Sequence, residues 1–177
     1  MNLYGRFLLF LVRYLFLVTR FEAFTPVKLG FRVWLHDIDV NFHLTAARYF
    51  SFGDFGRMQW LAKNGLLRRF YLKGYKAVLN AQEITYIREF KPFSRLELVV
   101  ELKCWDEKYG YFEQRFYHQG QLYAVSHARM AMLYQRKVVS FGEVFKRLGL
   151  AVENRSETLA ITDWKETLAA KRDYFTK

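Results

Sequence analysis

Residues 36–64 read HDIDVNFHLTAARYFSFGDFGRMQWLAKN. The stretch from His36 to Asn41 is a polar loop. From about His43 to Asn64 the spacing predicts one long helix, and Gly65 stands where a helix C-cap belongs. Small residues fall at Ala46, Ala47, Gly53 and Gly56. A glycine inside a helix costs about 1 kcal/mol against alanine, so two of them point to the close approach of another backbone. A helix cradled by a curved sheet requires that.

The flanks support such a sheet. Residues 27–35, VKLGFRVWL, read as a first strand. Beyond the helix the period changes to two. In 83–90, Ile84, Tyr86 and Phe90 alternate with Glu83, Thr85 and Glu89, and Lys91-Pro92 breaks the run. In 96–104, Leu96, Leu98, Val100, Leu102 and Cys104 alternate with charged residues, which sets Cys104 on the inner face. Strands are expected at 111–118 and 122–135, with turns at Asp106–Gly110 and Gln119-Gly120. Short connections make these strands antiparallel neighbours. Ser140 followed by Glu143 is a capping-box pattern that opens a further helix. The tail from 155 reads as another helix, polar and neutral. One helix cannot cover both faces of such a sheet, so the sheet should curl round it, and its edges invite a second subunit. The expected fold class is α+β: a curved antiparallel sheet of five or six strands wrapped round one long helix, with extra N- and C-terminal helices. The segments are 1–22, 23–150 and 151–177.

The chain has 177 residues, 52% hydrophobic and 25% charged, which excludes a disordered chain. Cys104 is the single cysteine, so an internal disulfide and Cys-based zinc motifs are excluded and a reducing, cytoplasmic compartment is expected. The four histidines lack metal-ligand spacing, and no metal site is expected. The net charge is +11, of which +9 falls in 23–150. That balance suits a polyanionic partner or a basic solvated surface. Basic residues interleaved with aromatics are not evident, so nucleic acid ranks last among the partners. Residues 2–21, NLYGRFLLFLVRYLFLVTRF, are apolar but broken by Arg6, Arg13 and Arg20, seven apart on nearly one helix face. The uncharged runs are too short for a membrane span of roughly 20 residues. Such a helix can lie in a membrane interface, or pack on the domain or a partner subunit.

The loop before the long helix is where chemistry is expected. It holds Asp37, Asp39, Asn41, His36 and His43 beside a helix start, where free N–H groups and the positive end of the helix dipole lie. Such amides can hold a carbonyl oxygen that turns negative during attack. A nearby carboxylate can act as nucleophile or as base on water. The alternative is that Asp39 or Asn41 merely caps the helix.

The pattern Asp37-x-Asp39-x-Asn41-x-His43, then Arg48-Tyr49 and Phe50, Asp54, Arg57, resembles the hotdog-fold thioesterases of the 4-hydroxybenzoyl-CoA thioesterase type, in the branch around thioesterase superfamily member six. Trp105–Lys108 through Glu113–Phe116 is a second matching block, and the resemblance covers roughly 25–150. It implies a hotdog fold, a homodimer or dimer of dimers, and hydrolysis of an acyl-CoA or acyl-carrier-protein thioester with no cofactor beyond the coenzyme A of the substrate. It maps the catalytic carboxylate to Asp39 and the amide that polarises the carbonyl to Ala46. His43 and Asn41 could orient water or carbonyl, or hold the loop. Arg88, Lys91 and Arg95 are candidates for the coenzyme A phosphates. The commoner family pattern has glycine where this chain has Phe42, a change that could narrow the site or alter the backbone path. A non-catalytic acyl-chain or lipid binder at a membrane surface is the alternative. Asp54 is expected to pair with Arg57 on its own helix, and Tyr49 to lie in the core.

Overall fold

The computed structural model describes residues 25–176. The expected front helix at 1–22 lies outside them. Strand β1 (Val27–Arg32) leads through a 3-10 turn at Leu35–Asp37 into helix α1 (Ala46–Lys63). A short helix α2 (Leu66–Leu72) follows, then β2 (Tyr75–Tyr86), β3 (Arg95–Trp105), β4 (Tyr109–His118), β5 (Gln121–Tyr134) and β6 (Lys137–Val139). Helices α3 (Phe141–Arg147) and α4 (Leu159–Phe175) close the chain. The antiparallel sheet runs β1-β3-β4-β5-β2, and β6 pairs with the far end of β5. It curls round α1, as expected.

The two helix glycines make that contact. A Cβ at Gly56 would lie 2.7 Å from Val100 Cγ2 and 2.8 Å from Leu98 Cδ2. At Gly53 it would lie 2.6 Å from Gln114 Oε1, and Gln114 Nε2 donates to the Gly53 carbonyl at 2.8 Å. Around this line lie Trp60, Phe112, Phe116, Leu96 and Leu98, all buried. Each large apolar side chain contributes about 1.5–3 kcal/mol by leaving water. Trp60 meets Phe112 edge-on at 5.1 Å. The inner face of β5 is small, with Ala124 and Ala128 wholly buried.

Several boundaries differ from the sequence reading. Helix α1 starts at Ala46 rather than near His43, because Leu44 bridges Ile38 and its N–H goes to the Phe90 carbonyl. Helix α1 ends at Lys63 with Asn64 as its C-cap, and Gly65, expected at that cap, takes φ 66° one residue on and opens α2, which has no counterpart in the sequence reading. Strand β2 spans 75–86, not 83–90. Its register slips between Leu79 and Ala81, so the alternation that marks a strand is broken in its middle. At its end the Ile87 and Arg88 N–H groups both reach the Tyr123 carbonyl, and Phe90 drops into the core. A second irregularity between Leu102 and Cys104 turns Cys104 to the outer face, correcting its inner placement. There it packs with Tyr111, Ile161 and Trp164, and burial pushes its thiol up to about 11. Ser140 Oγ accepts from the Glu143 N–H at 3.1 Å, as the capping pattern predicts.

Helix α4 starts at Leu159, later than 155, and covers part of the outer face with Ile161 and Trp164. Beneath it His127 sits between two carboxylates, its Nδ1 3.1 Å from Glu83 Oε1 and its Nε2 3.5 Å from Glu113 Oε2. Burial works against the imidazolium, but the bonds to Glu113 and Glu83 outweigh it and the His127 pKa is raised. Its stabilising contribution is therefore complete below the ordinary histidine value, about pH 6.5, and lost as pH rises through the raised one. Thermal melts from about pH 6 to about pH 9 should show a fall in stability that is reduced in His127→Gln; the same slope in both would remove His127 as its source. Gly56→Ala gains helix propensity yet should destabilise by about 1–2 kcal/mol in denaturant unfolding, since Val100 and Leu98 must move.

Candidate active site

The loop between β1 and α1 is held by its first aspartate. Asp37 is buried, its Oδ2 accepting from the Trp34 N–H at 2.9 Å and its Oδ1 standing 2.8 Å from Arg48 Nε. Its carbonyl accepts from the Thr45 N–H. Asp37 thus ties the loop to the first turn of α1, a role the sequence reading did not single out.

Asp39 is exposed and differently engaged. Its Oδ1 accepts from the N–H of Asn41 at 2.9 Å and from that of His43 at 3.3 Å. The Asp39 N–H donates in turn to the His43 carbonyl at 2.9 Å. Neither Asp39 nor Asn41 caps α1. The N-cap is Thr45, whose side chain makes no capping bond; the Arg48 N–H turns back to the Thr45 carbonyl, and the Ala46 and Ala47 amides before it have no side-chain cap. The loop therefore brings Asp39, Asn41, His43 and Ala46 into one short turn of chain. The His43 imidazole stands 2.5 Å from the Glu89 carboxylate. Glu89, read in sequence as a polar strand position, lies in the connector after β2, and no local pattern links it to His43.

Phe42 takes the left-handed conformation that glycine adopts easily, with φ 60°, and its ring is 68% exposed. The backbone follows the glycine path while the side chain projects outward. Trp34, Leu35, Val40 and Phe93 are also exposed on these loops.

The basic candidates spread over the same end of the sheet. Arg88 donates to Gln121 Oε1, Lys91 is exposed in the turn before β3, and Arg95 lies opposite Arg32 across the β1–β3 register. Arg95 and Arg32 flank an open hollow that also takes in Tyr117 and Glu97. Tyr49 is buried against Tyr86, Phe90 and Phe116, and burial raises its hydroxyl pKa far above the phenol value. Asp54 pairs with Arg57, as expected, and burial lowers the Arg57 pKa against the pull of Asp54. No group of three His, Cys, Asp or Glu among the described residues is placed to hold a metal ion.

The geometry is that of a hotdog thioesterase domain. The sequence pattern of the Thioesterase-like superfamily matches residues 33–148, and the chain belongs to that superfamily. It is 35% identical over 81 residues to Protein THEM6 of Xenopus laevis, covering 46% of this chain and 39% of that protein. The Danio rerio protein of the same name is 36% identical over 85 residues, covering 48% and 42%. The match thus spans about two fifths of the length of these relatives. Among solved structures, the probable thioesterase YbaW of Escherichia coli superposes with TM-score 0.64 at 21% identity, over 71% of this chain and 98% of that one. A Staphylococcus aureus protein solved in complex with CoA gives 0.63 at 17% identity, over 77% and 90%. The 1,4-dihydroxy-2-naphthoyl-CoA thioesterase of Synechocystis gives 0.59 at 15%, over 69% and 93%. At these identities the structures speak for the fold.

Arg48→Ala should leave the buried Asp37 carboxylate short of its charged partner and cost about 2 kcal/mol in urea unfolding. An unchanged midpoint would show that the Trp34 N–H, the His36 imidazole 3.3 Å from Oδ1 and solvent suffice for Asp37.

Proposed function

We propose that the chain hydrolyses acyl-CoA thioesters, with Asp39 as the catalytic carboxylate. The observation that carries this reading is the exposed Asp39 carboxylate, oriented by the Asn41 and His43 amides, in a loop that runs straight into the uncapped first turn of α1. Superfamily membership supports the reaction class. Water adds to the thioester carbon while Asp39 takes its proton. The carbonyl oxygen, now negative, accepts from the Ala46 N–H at the positive end of the helix dipole. The carbon–sulfur bond then breaks, and the departing thiolate takes the proton back from Asp39. The products are the free acid and the thiol. His43, oriented by Glu89, and Asn41 line the approach to the carbonyl. Arg88, Lys91 and Arg95 attract the phosphates of the CoA moiety. The twelve-residue β2 has an open edge with Val78 and Leu79 exposed, which suits pairing with a second copy.

Thiol release from a panel of acyl-CoAs of different chain length tests the reading. Turnover of at least one chain length is expected, and Asp39→Asn should lower it by at least about a hundredfold with the thermal midpoint unchanged. Wild-type turnover in that variant would remove Asp39 from the mechanism. Binding of the whole panel without release would make the protein an acyl-chain binder.

A further inference from the structure

The face farthest along α1 from the Asp39 loop has an unusual charge balance. From Phe55 to Gln82 the chain holds six Lys and Arg and no Asp or Glu, and from Gln114 to Gly142 it again holds no acid. The fold gathers parts of both stretches. Phe70 of α2 meets Tyr75 at 6.1 Å between ring centroids, and Tyr75 of β2 meets Tyr134 of β5 at 5.0 Å. This sets α2, the start of β2 and the β5–β6 turn side by side. Lys63, Arg68, Lys73, Lys76 and Lys137 are exposed there, and none pairs with a carboxylate among the described residues.

Large apolar side chains stand among these cations. Tyr71 is 81% exposed and Leu72 68%, on a seven-residue helix that buries only Leu66 and Phe70. Val138 of the adjoining β6 is half exposed. Elsewhere on the sheet, acids balance the bases: Glu101 and Glu113 take Lys103, Arg115 and Arg155 on the outer face.

The way the chain enters the domain adds a second observation. The Thr25 N–H donates to Asn64 Oδ1 at 3.1 Å, and the Asn64 amide is wholly buried one residue before the turn into α2. The described residues therefore begin, at Thr25, beside this same face.

We propose that this face docks on an anionic lipid surface, with Tyr71 and Leu72 in the headgroup layer and Arg68, Lys73, Lys76 and Lys137 against lipid phosphates. Tyrosine favours that layer because its ring is apolar and its hydroxyl polar. Unpaired lysines and arginines gain from the negative surface potential, while an apolar residue beside them gains from burial at the boundary. A protein partner would have to supply both an acidic and an apolar surface; an anionic bilayer supplies both at any point. The proposal is independent of the catalytic reading, since α1 at about 1.5 Å per residue separates this face from Ala46 by roughly 27 Å.

The test is co-sedimentation of the full chain with vesicles of phosphatidylcholine alone and of phosphatidylcholine with roughly 30% phosphatidylserine. Wild type should partition into the anionic vesicles on the order of a hundredfold more strongly, with a preference that shrinks as salt rises. The triple variant Arg68→Gln, Lys73→Gln, Lys76→Gln should lose about fivefold of that preference per charge and keep its partition into phosphatidylcholine. Tyr71→Ala with Leu72→Ala should weaken binding to both vesicles without changing the salt dependence. All five positions are exposed, and thermal melts confirm folding. A folded triple variant with wild-type preference would overturn the proposal, as would a wild type indifferent to phosphatidylserine. A single-stranded oligonucleotide that competes wild type off the vesicles, and binds the triple variant poorly, would make the face a nucleic-acid surface and overturn it too. Full retention of binding by the Tyr71/Leu72 variant would remove those side chains from the contact.

Discussion

The architecture depends on how closely α1 lies against the sheet. Gly53 and Gly56 leave no room for a Cβ between the helix and Gln114, Leu98 and Val100. That contact lets the strands curl round the helix and bury Trp60 and Phe112 together. It carries a polar element too. Gln114 is wholly buried, donates to the Gly53 carbonyl, and meets Gln82, which in turn reaches Ser126. A larger residue at Gly53 would displace the amide that fixes this ladder. The position of α1 then decides where its N-terminus emerges beside the Asp37–His43 loop.

From that N-terminus outward, two aspartates two residues apart do different things. Asp37 points inward and pins the loop to Arg48, while Asp39 points outward and is steered by backbone amides. A continuous strand would turn residues two apart to the same face; here Asp37 ends the 3-10 turn and the chain becomes extended only at Ile38, so the two carboxylates part. The isolated bridge between Ile38 and Leu44 keeps the chain extended here and delays the helix to Ala46. An inward structural carboxylate thus stands beside an outward one that solvent reaches. Phe42 completes the turn in a glycine-like conformation.

Much of this was legible locally. The change of period after residue 82, the glycines in a helical run and the Ser140 cap are short-range signals, and each marks a feature the structure contains. The strand at 75–86 was harder to see. Its slip near Asn80 breaks the alternation, and its exposed edge lacks an inner, buried periodicity. Cys104 was placed on the wrong face for a related reason: one extra residue in β3 reverses every side chain beyond it. Within the site, the D-x-D spacing and the helix start were readable, and so were Asn41, His43 and Ala46 as neighbours in the chain. The Glu89 partner of His43 was not, because 46 residues separate them and the connector is drawn to the loop by bonds between distant segments, Leu44 N–H to the Phe90 carbonyl and Phe93 N–H to the Val33 carbonyl.

The amino-acid sequence by itself determined the class of fold, the helix at its centre and the loop that carries the carboxylates. These follow from periodicity, from residues whose backbone preferences are strong, and from a motif contained in about twenty consecutive positions. Tertiary structure alone decided which aspartate is buried, which face Cys104 takes, that Trp164 of α4 lies over the sheet's outer face, and that Tyr71, Leu72 and exposed cations without carboxylate partners stand on adjoining elements. Each of these depends on register or on contacts between distant segments. Such contacts are set by packing of the whole chain, which no local window contains.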